Sequence, residues 1–254
     1  MFSAGHAMKY AFIADLHSNI EALEAVLHHA AMHGAERRVF LGDLVGYGAD
    51  PAAVVDRVAS CLQRGDLAVM GNHDSAVCGR EPNTMNEDAQ AAVLWTREQL
   101  SGEQLSFLRE LPLILRQDDI TCVHASAADP GRWTYVFDGL AAMRSLEEAG
   151  TSWVFSGHVH DPTLFYAGRD GRLLPFLPSE GVVIPVPAHR QWLAIVGSCG
   201  QPRDLRPGAR YALFDSEQQR LRFFRVPYDA TSAAAKIRAA GMAERFALHL
   251  EGRA

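Results

Sequence analysis

The stretch Lys9-Tyr10-Ala11-Phe12-Ile13-Ala14-Asp15-Leu16-His17-Ser18-Asn19-Ile20-Glu21 sets the pattern for the chain. Residues 9–14 form a near-continuous apolar run that stops at Asp15. A short run of this kind suits a strand covered on both faces. Ser18 followed three positions later by Glu21 reads as a capping box, with Ser18 as N-cap. Ile20, Leu23, Val26, Leu27 and Ala30 then keep helical spacing, and Gly34 is placed to end the helix.

Working outward, the unit repeats. Residues 38–41 read as a strand ending at Gly42-Asp43, and Asp50-Pro51 as an N-cap and first helical residue. Residues 67–70 read as a third strand, ending at Gly71-Asn72-His73-Asp74. Strand, helix, strand, helix, strand implies right-handed crossovers and a largely parallel sheet. Residues 86–111 read as a helical hairpin insertion, with a second capping box at Ser101–Gln104 and a core of Met85, Leu94, Trp95 and Leu100. Strands are expected over 113–116, 120–123 and 153–155, the last ending at Ser156-Gly157-His158, with a helix over 139–149 between them. The texture then changes. Short strands over 164–166, 173–176, 182–186, 192–196, 211–214 and 221–226 read as a second, mostly antiparallel sheet. A C-terminal helical segment over 232–250 is expected to break at Gly241. One domain spanning 1–254 accounts for this, with residues 1–7 as an N-terminal tail.

Composition narrows the function classes. The 254 residues are 48% apolar, enough for a sizeable core. Net charge is 24 − 30 = −6 without a long run of one sign, so no duplex nucleic acid partner is expected. No apolar run approaches the ~20 residues of a membrane span, and the N-terminus lacks the basic and apolar regions of a signal peptide. Cys61, Cys78, Cys122 and Cys199 include no CxxC pair, which argues against a disulfide framework and a thiolate zinc site. A cytoplasmic location is expected.

The chemistry lies where the apolar runs end: Asp15 and His17, Asp43, Asn72 and His73, His124, and His158 and His160. Strand ends of an open α/β sheet converge on one edge, and sites form there. Mixed nitrogen and oxygen ligands without thiolate suit Zn, Fe or Mn better than Ca or a pure Mg site. One ion would be over-coordinated by this set. Two ions sharing a carboxylate, ~3.5–4 Å apart, fit better and would acidify a water between them. A lone His or Asp is more often structural, so the weight rests on the ordered group. Asp74 is expected to cap the following turn or orient its loop.

The motifs Asp15-Leu16-His17, Gly42-Asp43, Gly71-Asn72-His73-Asp74, His124 and Gly157-His158-Val159-His160 resemble those of the calcineurin-like metallophosphoesterases, in the same order and with compatible spacing. Residues 42–50 and 197–204 also resemble that superfamily's small bacterial and archaeal phosphodiesterase-like branch. The resemblance implies a four-layer α/β/β/α sandwich of two mixed β-sheets flanked by helices. It implies that Asp15, His17, Asp43 and His160 hold one metal, and Asp43, Asn72, His124 and His158 the other. Asp43 would bridge, and His73 would bind the phosphate and protonate the leaving oxygen. Two departures stand out. Gly46 replaces the Asp that supports the acid histidine in protein Ser/Thr phosphatases, and Ile195-Val196-Gly197-Ser198 replaces a frequent Asn-Pro-Gly-Ser.

The expected activity is therefore hydrolysis of phosphodiesters or nucleotide anhydrides such as diadenosine polyphosphates. A phosphomonoesterase or protein Ser/Thr phosphatase is the alternative, and a non-catalytic protein-binding scaffold a remote one. Arg132, Trp133, Tyr135 and Arg203 are candidate substrate contacts, since an Arg fork suits phosphate and an aromatic face suits a base. Both the 86–111 insertion and the loop after His124 are expected to overhang the metal pair.

Overall fold

In the computed structural model, residues 8–79, 85–167, 173–204 and 206–253 are described. The expected tail at 1–7 lies outside them. Strand β1 (Lys9–Ile13) shows why its apolar run is unbroken. Tyr10, Phe12 and Ala14 point into one apolar cluster, and Ala11 and Ile13 into another. The period of two places them on opposite faces, and both faces are covered.

One sheet has the order β3-β2-β1-β11-β12-β9, with β2 at Arg37–Phe40, β3 at Leu67–Ala68, β9 at Val183–Pro185, β11 at Ala209–Asp215 and β12 at Arg220–Val226. The other has the order β4-β5-β6-β10-β7-β8, with β4 at Ile114–Gln117, β5 at Ile120–Val123, β6 at Trp153–Ser156, β7 at Thr163–Ala167, β8 at Leu173–Phe176 and β10 at Trp192–Ile195. Both are mixed. β1 pairs parallel with β2 and antiparallel with β11, and β10 pairs parallel with β6 and antiparallel with β7. The change of texture after residue 160 therefore does not divide the sheets. β4, β5 and β6 from the first part leave the β1 sheet, and β9, β11 and β12 from the second part join it. Strand texture reports how a strand is buried, whereas its partners are chosen by tertiary packing.

The two sheets face each other across a core that includes Phe12 and Phe155, whose rings stack with centroids 3.7 Å apart. On the outer face of the first sheet pack α1 (Ile20–Met32) and α2 (Pro51–Leu62), and on that of the second α6 (Gly139–Ala149). The result is the four-layer α/β/β/α arrangement. At one end the sheets nearly touch. Ala14 bridges to Ser198, and a Cβ on Gly157 would lie 2.5 Å from the Ala14 Cβ and 2.8 Å from an Asp15 carboxylate oxygen.

Local differences have local causes. Asn19, not Ser18, caps α1: its side chain accepts from the Ala22 amide at 3.0 Å. Ser18 sits at φ 54°, and its carbonyl accepts from the Asp50 amide instead. Asp50 holds the N-cap position of α2 without a side-chain cap bond, because its carboxylate binds Lys236 at 2.8 Å. A short helix, α3 (Asn72–Val77), follows Gly71 where a loop was expected. The 86–111 segment forms α4 (Glu87–Gln99) and α5 (Gly102–Glu110), with the Ser101/Gln104 capping box in place. Both pack on α2 and α3, and Leu94 is exposed rather than part of a hairpin core. The C-terminal segment breaks at Gly241 into α7 (Ala230–Ala239) and α8 (Glu244–Glu251).

Candidate metal centre

Each expected ligand comes from the end of a strand or the turn after it. Asp15 and His17 follow β1, Asp43 follows β2, Asn72 opens α3 after β3, His124 follows β5, and His158 and His160 follow β6. All are buried except Asn72, which is partly buried. Asp15, His17, Asp43, His158 and His160 have φ between 46° and 72°, a region side-chain-bearing residues rarely adopt. Such strain, of order 1–3 kcal/mol per residue, persists only where surroundings impose it. Here the surroundings are the backbone bonds Asp15 N to Gly42 O, His17 N to Asp43 O and Gly200 N to Asp15 O.

Hydrogen bonds on the far side of each ring fix its direction. Nδ1 of His17, His124 and His160 faces the carbonyls of Val45, Leu41 and Gln201 at 3.3, 2.8 and 2.7 Å. Donating Nδ1–H there leaves the Nε2 lone pairs pointing inward. Inside, His17 Nε2 lies 3.2 Å from His160 Nε2, and His124 Nε2 lies 3.1 Å from His158 Nδ1 and 3.0 Å from Asn72 Oδ1. Asp43 Oδ2 lies 3.8 Å from His17 Nε2 and 3.4 Å from His124 Nε2, so one carboxylate oxygen faces both halves. The other oxygen, Oδ1, accepts from the His73 amide at 2.8 Å.

Backbone amides of His73 and His158 donate to Asp43 and Asp15, but the side-chain atoms that converge in the buried centre are mostly acceptors, a surrounding that suits cations. Ligand atoms of Asp15, His17 and His160 form one compact group, and those of Asp43, His124 and His158 another. A third group joins His17, Asp43 and His73. The donor set fits bound metal, and Asp43 belongs to two of the three groups.

Titration behaviour follows the same geometry. Burial pushes the Asp15 carboxyl up to about 7. Burial also holds His17 and His160 well below the ordinary imidazole range and His158 down at about 3. Those three rings stay neutral, the form that ligates metal. Burial opposes charge on His124 as well, but the charge and hydrogen bond of Asp43 outweigh it and push the ring up to about 9.

The cavity over this group has a volume of about 260 Å³. The start of α4 (Asn86, Ala89) lines one side, and Arg132, Trp133 and Tyr135 another. The four candidate substrate contacts differ in position. Arg132 is well exposed and pairs with Asp129 at 3.9 Å. Trp133 is only 8% exposed and packs edge-on to His124, 5.9 Å between ring centres, so it offers little face for stacking. Tyr135 stacks on His158 at 3.9 Å and carries Phe137 stacked on its own ring at 4.9 Å, leaving both aromatics exposed. Arg203 lies on the cavity wall.

Asp74 orients its loop as expected, and two further contributors, Ser198 and Tyr47, escape a reading of strand ends. Asp74 is fully buried and accepts from the Gly71 and Val45 amides at 2.9 and 3.2 Å, tying two ligand loops together. Ser198 Oγ donates to the Asp15 carbonyl and accepts from the Gln201 amide, which sets the carbonyl that orients His160. Tyr47 lies against His17 and His73 at 4.6 and 4.4 Å. Its signal in the sequence is the pair of flanking glycines, Gly46 and Gly48: a Cβ on Gly46 would meet His73 Nδ1 at 2.5 Å.

A sandwich of two mixed sheets with candidate Asp, Asn and His ligands gathered where its strands end is the arrangement of a metal-dependent phosphoesterase. The family model described as the calcineurin-like phosphoesterase superfamily domain matches residues 8–219, and the chain belongs to that superfamily. It is similar to a metallophosphoesterase from Sphaerobacter thermophilus of solved structure, 34% identical, with a TM-score of 0.86 over 98% of this chain and 100% of that one. An uncharacterized protein from Methanocaldococcus jannaschii is 36% identical over 89% of this chain and 90% of its own. A hypothetical protein from Pyrococcus horikoshii, 20% identical, shares the fold with a TM-score of 0.77 over 97% of this chain and 99% of that one. No helix among the described residues is long and apolar enough to cross a membrane.

Proposed function

We propose that this phosphoesterase hydrolyses phosphodiesters or nucleotide anhydrides, with two transition ions (Mn, Fe or Zn) held by Asp15, His17, Asp43, Asn72, His124, His158 and His160. The observation that carries this reading is the position of Asp43 Oδ2 between the Nε2 atoms of His17 and His124. A metal pair bound there supplies a hydroxide-strength nucleophile near neutral pH and Lewis-acid stabilisation of the phosphoryl oxygens. The chain supplies the rest. His73 protonates the leaving oxygen as the P–O bond breaks, its position fixed by the hydrogen bond its backbone N–H donates to Asp43 Oδ1 and by the Tyr47 ring. Its Nδ1 is buried without a hydrogen-bond partner among the described residues, and Gly46 brings no carboxylate to it. An acid histidine without a carboxylate partner holds its proton less tightly, a difference from protein Ser/Thr phosphatases that disfavours the phosphoprotein alternative. Arg203 and Arg132 bind phosphate oxygens, and Tyr135 with Phe137 supports a base.

The test is a comparison of kcat/KM, with Mn restored after chelation, on bis(p-nitrophenyl) phosphate, a dinucleoside polyphosphate and a phosphopeptide. The first two are expected to exceed the third. A clear preference for the phosphopeptide would reverse the assignment.

A further inference from the structure

We propose that the cleft between Tyr47, Arg203 and α8 is a second anion subsite, which takes a phosphate carried on the leaving-group side of the substrate. The assignment rests on the phosphoesterase reading and extends it to substrate class: phosphoanhydride chains, in which the leaving group bears its own phosphate.

The cleft has a volume of about 260 Å³ and shares Tyr47, Asn86 and Arg203 with the cavity over the metal centre. Its direction follows from Tyr47. That ring lies between His73 at 4.4 Å and Phe246 of α8 at 4.8 Å. The cleft thus begins one ring beyond the histidine that protonates the leaving oxygen, and whatever is attached to that oxygen extends toward α8.

The lining chemistry favours an anion. Arg203 and Arg245 border the cleft, and its lining includes no carboxylate among the described residues. Arg245 is held across the gap between helices: its Nε pairs with Asp88 of α4 at 2.8 Å, and its Nη2 donates to Asn86 Oδ1 at 2.6 Å. Asp88 and Asn86 engage its Nε–Nη2 edge and Asp88 offsets part of that charge, so the Nη1 side of the fixed guanidinium is what is left for phosphate oxygens. His249 marks where the two positive fields overlap. Burial first, then Arg203 and Arg245, hold its ring below the ordinary imidazole range. Its Nδ1 is buried and has no hydrogen-bond partner among the described residues. None of these α8 residues belongs to the metal-ligand motifs.

The experiment uses the full chain loaded with Mn and two substrates, a dinucleoside tetraphosphate and bis(p-nitrophenyl) phosphate, which has no second phosphate. Arg245→Gln is expected to lower the kcat/KM ratio of the first to the second about tenfold, mainly through KM, and Arg245→Lys to recover part of it. Independently, tripolyphosphate is expected to raise the Tm of the wild-type chain more than orthophosphate does, and Arg245→Gln to erase the difference. An unchanged ratio, an equal loss on both substrates, or equal protection by the two anions would overturn the subsite while leaving diester hydrolysis intact. Absence of wild-type activity on both substrates would instead overturn the phosphoesterase reading beneath it.

Discussion

Strands β1 and β6 each carry two kinds of residue a few positions apart. Along their length, Phe12 and Phe155 stack between the sheets in a region without polar demand. Just past their ends, Asp15 and His158 sit at positive φ and buried, the His158 amide donating to both Asp15 carboxylate oxygens at 3.1 Å while the His158 ring faces the other side chains of the site. The interior is stabilised by apolar area removed from water, roughly 25 cal/mol per Å². The rim costs stability through strain and desolvation until cations arrive. The contrast teaches that the sandwich supplies the rigidity that lets a strained, electron-rich site persist, so the two regions should fail in different ways.

The largest effect is expected from Asp43→Asn. Because one oxygen faces both halves of the site, both metals should be lost together, with a fall in affinity beyond the ~10–100-fold typical of outer partners. Metal analysis of the purified variant checks this, and retention of one full ion would remove Asp43 as the bridge. Next comes His73→Ala, expected to keep both metals and lower kcat by ~10²–10⁴-fold. The loss should shrink with better leaving groups; equal losses across leaving groups of different pKa would exclude the acid role.

On the interior side, Phe155→Ala should cost about 3–5 kcal/mol of stability in denaturant unfolding. Its kcat should change far less than that of His73→Ala. If metal affinity fell in proportion to stability, the division between support and site would be wrong. Tyr135→Ala tests the exposed stack on His158. A base contact is worth ~1–3 kcal/mol by analogy with single-strand binding, so KM for a nucleotide substrate should rise while a small chromogenic diester changes little. The smallest effect belongs to Cys122 in the inter-sheet core, whose thiol burial pushes up to about 12. At pH 8 it should resist alkylation in the native protein and react on unfolding, as read by mass spectrometry. Rapid native labelling would mean that the sheets separate readily.

The rim was more legible in the sequence than the interior's pairing. Every expected metal ligand lies in one cluster, because a polar residue that ends an apolar run must lie at a strand end, and ends of parallel strands meet. Trp133 shows the limit. Its position after His124 placed it near the site, but not which way its ring turns; the positive φ of 55° sends it into the core and leaves Tyr135 outside. Ser18 shows a second limit. It matches a capping box locally, yet the Asp50 amide, distant in sequence, claims its carbonyl and moves the cap to Asn19.

The sequence by itself determined most of the strands and helices and the candidate ligand set, since periodicity, caps and chain order are local properties. Tertiary structure alone decided that β11 and β12 complete the β1 sheet and that Ser198 braces the ligand loops. It also brought α8 alongside Tyr47. These depend on which surfaces meet in space, and contacts between residues more than a hundred positions apart leave no period in the chain.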